Sequence, residues 1–238
     1  MSKLISKNDF RDNCGFGLIA NINGEKSHKI IKKSIDALKS MTHRGAIGAD
    51  GKTGDGCGLL LDLDKKYFIN VLFNEQNIKI TDEFAIAQVF TEKQIENDIP
   101  KINKILKSEN LTLKAVRPVP INKNILGSIA KDCLPNIYQL YIQSTDKVFY
   151  EEKFETNLYQ ARKLIEEIYS NDEKFYFSSF SSKTVVYKGL MLPDAIQDFY
   201  LDLNSKDIRS SICVFHQRFS TNTHPRWHLA QPFRLLAH

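Results

Sequence analysis

The sequence predicts a single domain of mixed α and β structure, and three observations carry that expectation. Short apolar runs with strand character recur from the first third of the chain to its last section. Between them lie segments whose apolar residues repeat at three- and four-residue spacing, the period of a half-buried helix. No internal repeat and no linker-like composition divides the 238 residues, a length that one large domain can fill.

Taken in order, residues 14–22 read as a buried strand that stops at the turn signal Asn23-Gly24. Ser27 is placed to cap a helix through Ile31, Ile35, Leu38 and Met41. A glycine-dense loop, residues 43–58, then runs into a strand at 59–63. Residues 84–90 and 111–119 are expected strands flanking a helix near 93–107, in which Pro100 is a possible break. Residues 137–142 and 147–150 are strand-like, and 155–169 form an amphipathic helix with Leu158, Ala161, Leu164, Ile165 and Ile168 on one side. A hairpin is expected from 175–180 and 184–188 across Ser181-Ser182-Lys183, then a short helix over 193–200 with proline at its start. Residues 211–219 are apolar on both faces, as in a sandwiched sheet, and 233–237 look like the start of a further strand.

Composition narrows the function classes. A hydrophobic share of 42% and a charged share of 26% fit a soluble protein with a real core. The net charge of +5 comes from scattered lysines with no basic stripe among aromatics, which argues against nucleic acid as partner. Cys14, Cys57, Cys133 and Cys213 form no C-x-x-C pair, which argues against a zinc ribbon or a disulfide scaffold and suits a reducing cytoplasm. Residues 1–13 lack the apolar core of a secretory signal, and no later run approaches the ~20 apolar residues of a membrane span. That leader is read as a disordered tail or a propeptide.

Two motifs are set aside. Gly51-Lys52-Thr53 suggests a phosphate-binding loop, but Ala46 stands where the first glycine belongs and the order is helix, loop, strand. His224 and His228 have the i, i+4 spacing of metal ligands on a helix, but Pro225 lies between them and no glutamate follows His224.

Two others carry chemistry. Were residues 1–13 removed, Cys14 would hold a thiol and a free α-amine on adjacent carbons, with ordinary pKa values near ~8.5 and ~8. Such an amine can take the thiol's proton near neutrality, as an activated nucleophile requires. The plain alternative is a buried cysteine opening a strand. In His216-Gln217-Arg218-Phe219-Ser220-Thr221-Asn222-Thr223-His224-Pro225 an arginine ends a strand beside hydroxyl and amide side chains. Its planar fork suits a carboxylate, although a polar turn with a surface arginine reads the same way.

Taken together, Cys14-Gly15-Phe16-Gly17, His43-Arg44-Gly45, Asp50-Gly51-Lys52-Thr53-Gly54-Asp55-Gly56 and the Arg218 segment resemble one family. It is the N-terminal class II glutamine amidotransferase domain of the glutamate synthase large chain. Ser182-Lys183-Thr184-Val185-Val186-Tyr187-Lys188-Gly189 and Leu229-Ala230-Gln231-Pro232-Phe233-Arg234 extend the likeness over residues 14–238 and separate it from the purine and glucosamine-phosphate amidotransferases.

The resemblance implies an α+β fold, a four-layer αββα sandwich of the N-terminal nucleophile hydrolase type, incomplete at its C-terminal end. It implies cleavage of a 1–13 propeptide, Cys14 as nucleophile, and Arg218 as binder of the α-carboxylate of L-glutamine with help from Thr221. Arg44 and its loop would shape the pocket. No metal or cofactor is expected in this chain; the family's FMN and iron–sulfur cluster belong to a synthase domain that turns 2-oxoglutarate into glutamate with the released ammonia. The family's oxyanion-binding Asn-Gly pair falls directly after the position of His238, and an acidic residue for the substrate's amino group falls later. A partial domain is therefore expected, either completed by a synthase domain or second polypeptide, or else a silent fragment with at most a docking role. The expected setting is cytoplasmic.

Overall fold

The computed structural model describes residues 14–170, 174–220 and 223–233. Apart from Phe233, the expected strand at 233–237 lies outside the described residues, as does the 1–13 leader. Within them, every neighbouring strand pair is antiparallel. One sheet has the order β1 (Gly15–Ala20), β8 (Ile212–Gln217), β2 (Cys57–Asp62), β7 (Thr184–Gly189). The other has the order β4 (Leu111–Pro118), β5 (Asn136–Ser144), β3 (Phe84–Thr91), β6 (Phe175–Ser181).

Alternation along the strands decides what each face meets. In the first sheet Leu59 stands opposite both Phe215 and Tyr187, and Leu61 opposite both Cys213 and Val185. All six are buried, and this face joins the core under α1 (His28–Ser40), which contributes Ile31, Ile35 and Leu38. In the second sheet Ala85, Ala87 and Val89 face α3 (Ile99–Ser108) and α5 (Glu151–Ile168) through Ile102, Leu106, Phe154, Leu158, Ala161 and Ile165. The alternate residues Phe84, Ile86 and Phe90 turn inward to the larger core. Two antiparallel sheets with helices packed against them make this an α+β fold. On the other side of the first sheet Phe16 and Leu18 are exposed, so β1 is not apolar on both faces for the sake of burial alone.

Three expectations change. Residues 175–188 do reverse direction at Ser181-Ser182-Lys183, but the two arms are not partners in one ladder. β6 pairs with β3 and β7 with β2, so the turn carries the chain from one sheet to the other. The Glu155 carboxylate of α5 holds that turn by accepting from the Ser182 N–H and from the hydroxyls of Ser181 and Ser182. Pro100 does not break a helix; it sits in the first turn of α3, where its missing N–H costs nothing. Residues 147–150 form no strand and lead instead into α5, which begins at Glu151, earlier than its apolar pattern suggests.

One helix has no clear counterpart in the sequence pattern. α2 (Lys65–Gln76) carries Tyr67, Phe68, Ile69, Val71, Leu72 and Phe73 around much of its circumference, so no stripe emerges. Its start is nonetheless marked: Asp64 caps it by accepting from the Tyr67 N–H at 3.3 Å.

A buried polar network ties α2 to the second sheet and to the segment after α6 (Ile196–Phe199). Arg117 of β4 is 1% exposed and makes paired hydrogen bonds to Glu75, both 2.8 Å, and to Asp202, 2.8 and 2.9 Å. It also donates to Gln139, which donates to Gln88, which donates to the Val186 carbonyl of the other sheet. Tyr67 and Tyr187 donate to the two oxygens of Asp202. The network therefore spans both sheets, and its buried members are expensive to leave unpaired.

Candidate active site

Cys14 immediately precedes β1, and Gly15 is paired with Gln217 at the end of β8. That register puts the start of one strand beside the exit of the other and so brings Cys14 to Phe219, 205 positions away. The Phe219 N–H donates to the Cys14 sulfur at 3.4 Å, and the thiol faces the Phe219 carbonyl at 3.8 Å. The same residue thus offers the sulfur both a backbone donor and a backbone acceptor. The thiol is partly exposed and so reachable.

The remaining cysteines lack this setting. Cys57 and Cys213 are fully buried, and burial pushes both thiols up, Cys213 to about 12. Cys133 donates within α4 (Ser128–Asp132), and burial raises its pKa also. Among the described residues no group of three or more His, Cys, Asp or Glu could hold a metal ion. Burial first, then the charges of Lys188, Arg226 and Arg218, lower the pKa of His228.

Arg218 lies directly before Phe219 and is 7% exposed. Its N–H donates to the Gly56 carbonyl at 2.8 Å, its guanidinium donates to the Asp55 carbonyl at 3.4 Å and to the Thr223 hydroxyl. Burial lowers its pKa, opposed by the nearby charges of Asp55 and Cys14. An arginine so placed lies within electrostatic reach of Cys14. Arg44 ends a short helical turn, Thr42–Arg44, and its side-chain stem flanks Gly15, next to Cys14. Thr221 lies outside the described residues. The sequence reading missed Thr223 and Asp55, the latter because it looked like one more member of a glycine loop.

That loop is a brace for the site. A Cβ on Gly45 would fall 1.8 Å from the Gln217 side chain, so this contact with the end of β8 needs glycine. Gly56 has φ +122°, a region closed to side chains, and a Cβ there would sit 2.8 Å from that of Ala230. Replacing Gly56 by alanine is expected to destabilise the domain by about 1–3 kcal/mol, measured as a lower urea midpoint with unchanged slope. At the other end of the loop Asp50 accepts from the Thr53 hydroxyl at 2.6 Å and from the N–H groups of Lys52, Thr53 and Ile129. Thr53 in turn accepts from the Ala130 N–H, so Asp50 pins the loop to α4.

The Thr53 hydroxyl and N–H, with those of Lys52 and Ile129, hold the Asp50 carboxyl well below the usual carboxylate range. A carboxyl depressed on folding stabilises the protein above its unfolded pKa of about 4, and that contribution is lost as pH falls through the folded value. Asp50→Asn is therefore expected to flatten the acid limb of a stability-against-pH curve below about pH 4, read by thermal unfolding at a series of pH values. An unchanged acid limb would show that the pin is not electrostatic.

A partly exposed thiol, a backbone donor on its sulfur and a guanidinium within its electrostatic reach are groups that amide transfer from an amino acid can use. Residues 14–238 match the family model described as glutamine amidotransferases class-II. The chain belongs to that family. Among curated relatives, it is 37% identical to the ferredoxin-dependent glutamate synthase of Cyanidium caldarium over 97% of this chain and 15% of that protein. It is 36% identical to the glutamate synthase [NADPH] large chain of Azospirillum brasilense, over 97% of this chain and 16% of that one. The chloroplastic ferredoxin-dependent glutamate synthase of Oryza sativa subsp. japonica is 37% identical over 96% of this chain and 14% of that protein. This amidotransferase chain thus spans about one sixth or less of the length of the relatives it matches.

Proposed function

We propose that this chain is the glutaminase portion of a glutamate synthase, with Cys14 as nucleophile and the Arg218 guanidinium as the seat of the substrate α-carboxylate. The observation that carries the reading is the Cys14 sulfur held at 3.4 Å from the Phe219 N–H, one residue from Arg218. The Cys14 thiolate attacks the side-chain carbonyl carbon of L-glutamine to give a tetrahedral adduct. The α-amine of Cys14, freed by cleavage after Asn13, passes the thiol's proton to the departing nitrogen, and ammonia leaves. Water, deprotonated by the same amine, then attacks the thioester, releasing glutamate and restoring the thiol. Arg44 walls the pocket, and Thr221 assists Arg218 at the carboxylate. The membership of residues 14–238 in an enzyme family favours this reading over a silent docking fragment.

The ammonia would serve a synthase region, on the same or a second polypeptide, that makes glutamate from 2-oxoglutarate with FMN and an iron–sulfur cluster. This chain's cysteines do not suit a cluster, since two are singly buried and the others lie apart at the β1 and α4 ends. No step assigned to this chain runs through either group. A cytoplasmic location completes the proposal; no helix among the described residues is long and apolar enough to cross a membrane.

The test is made on the full-length protein. Mass spectrometry is expected to find Cys14 as the mature first residue, and the protein is expected to release ammonia from L-glutamine. A fully active protein that retains residues 1–13 would sink the self-base mechanism.

A further inference from the structure

Asp55 holds the turn that carries Arg218 and Phe219, and the reaction as drawn gives it no part. It precedes β2 in Gly54-Asp55-Gly56 and is 6% exposed. Its carboxylate accepts from the Ser220 N–H at 2.6 Å, a short, charge-assisted bond. Its main-chain carbonyl accepts from the Arg218 guanidinium, and the carbonyl of the next residue, Gly56, accepts from the Arg218 N–H. Two successive residues therefore grip the 218–220 turn before, beside and after Phe219. The Phe219 N–H is the donor on the Cys14 sulfur. Displacing this turn would move the sulfur's partner and the guanidinium together.

We propose that Asp55 is a positioning residue that sets the span between Cys14 and Arg218, and so matches the site to an amino-acid substrate bearing both an α-carboxylate and a side-chain amide. The inference rests on the glutaminase reading. Arg218 has five N–H donors, of which contacts with Asp55 and Thr223 account for two. The carboxylate of Asp55 does not compete for the guanidinium at hydrogen-bond range, because its bond goes to the Ser220 N–H. It acts on the turn, leaving the fork to the substrate.

Asp55→Asn keeps the shape and removes the charge that makes the bond to Ser220 strong. In the mature full-length protein it is expected to raise the KM for glutamine about 10- to 100-fold, with a smaller change in kcat. A second readout separates positioning from folding. Cys14 is alkylated in parallel with iodoacetamide, which needs no carboxylate seat, and with a diazoketone analogue of glutamine, which does. Mass spectrometry of the Cys14 peptide follows both rates. The variant is expected to keep its iodoacetamide rate within about twofold and to lose about 10- to 100-fold in the analogue rate. Equal rates to wild type with both reagents would overturn the proposal, and so would an equal fall with both, which marks a general loss of structure. If wild type itself does not react preferentially with the analogue, the glutaminase reading fails first and this proposal with it.

Discussion

Replacing Cys14 with alanine is expected to abolish ammonia release from glutamine by the full-length protein while activity supplied with free ammonia persists. The expected loss is on the order of 10⁴–10⁶-fold, the range seen when a covalent nucleophile or its activating partner is removed. The thioester cannot form without the sulfur, and Cys57, Cys133 and Cys213 are not placed to substitute. Two of them are buried neutral thiols, and the third donates within its own helix. The substitution removes one atom at a partly exposed position and leaves β1 and its pairing with β8 intact. Parallel assays with glutamine and with ammonium salts separate the outcomes. Loss of both activities would place Cys14 in the structure of the whole enzyme rather than in amide transfer.

The second large effect is on stability. Arg117→Leu is expected to cost about 3–5 kcal/mol, the range for removing one member of a buried ion pair. Asp202 is nearly inaccessible and would keep its charge with only the Tyr67 and Tyr187 hydroxyls as donors. Glu75 is half exposed, so water replaces that partner at little cost. The penalty is thus assigned chiefly to Asp202, and replacing Asp202 by leucine alongside Arg117→Leu should recover part of it. Equilibrium urea denaturation of wild type and the two variants checks this. A double variant no more stable than the single one would show that the Glu75 bond carries the stability.

Much of the local structure was legible. The strands at β1, β2, β3, β4, β5 and β8 and the helix α1 follow from apolar periodicity and flanking turns, although the Ser27 side chain at the N-cap of α1 makes no capping hydrogen bond. α2 was not, because the exposed Phe73 and the half-buried Ile69 and Val71 spread apolar residues beyond the buried face of Tyr67, Phe68 and Leu72. The exchange of sheets between β6 and β7 was also out of reach. Two strands joined by a three-residue turn read as a hairpin, and only the ladders to β3 and β2 reveal that each arm prefers a different partner. Pro100 reads equally as a breaker or as a first-turn residue, and which applies depends on where the helix begins.

The candidate site divides along the same line. The residue types made Cys14 and Arg218 candidates, against a buried cysteine and a surface arginine, and the resemblance of the combined motifs to one family chose between the readings. The family was also written in those motifs. Their proximity was decided by the register of β1 on β8, which brings together positions 205 apart in the chain. The roles of Asp55 and Thr223 around Arg218, and of Asp202 around Arg117, depend likewise on contacts between distant segments. Sequence pattern reports burial and local conformation, because these act between near neighbours. Which carboxylate meets which arginine is set by how the sheets stack, and only the folded chain decides that.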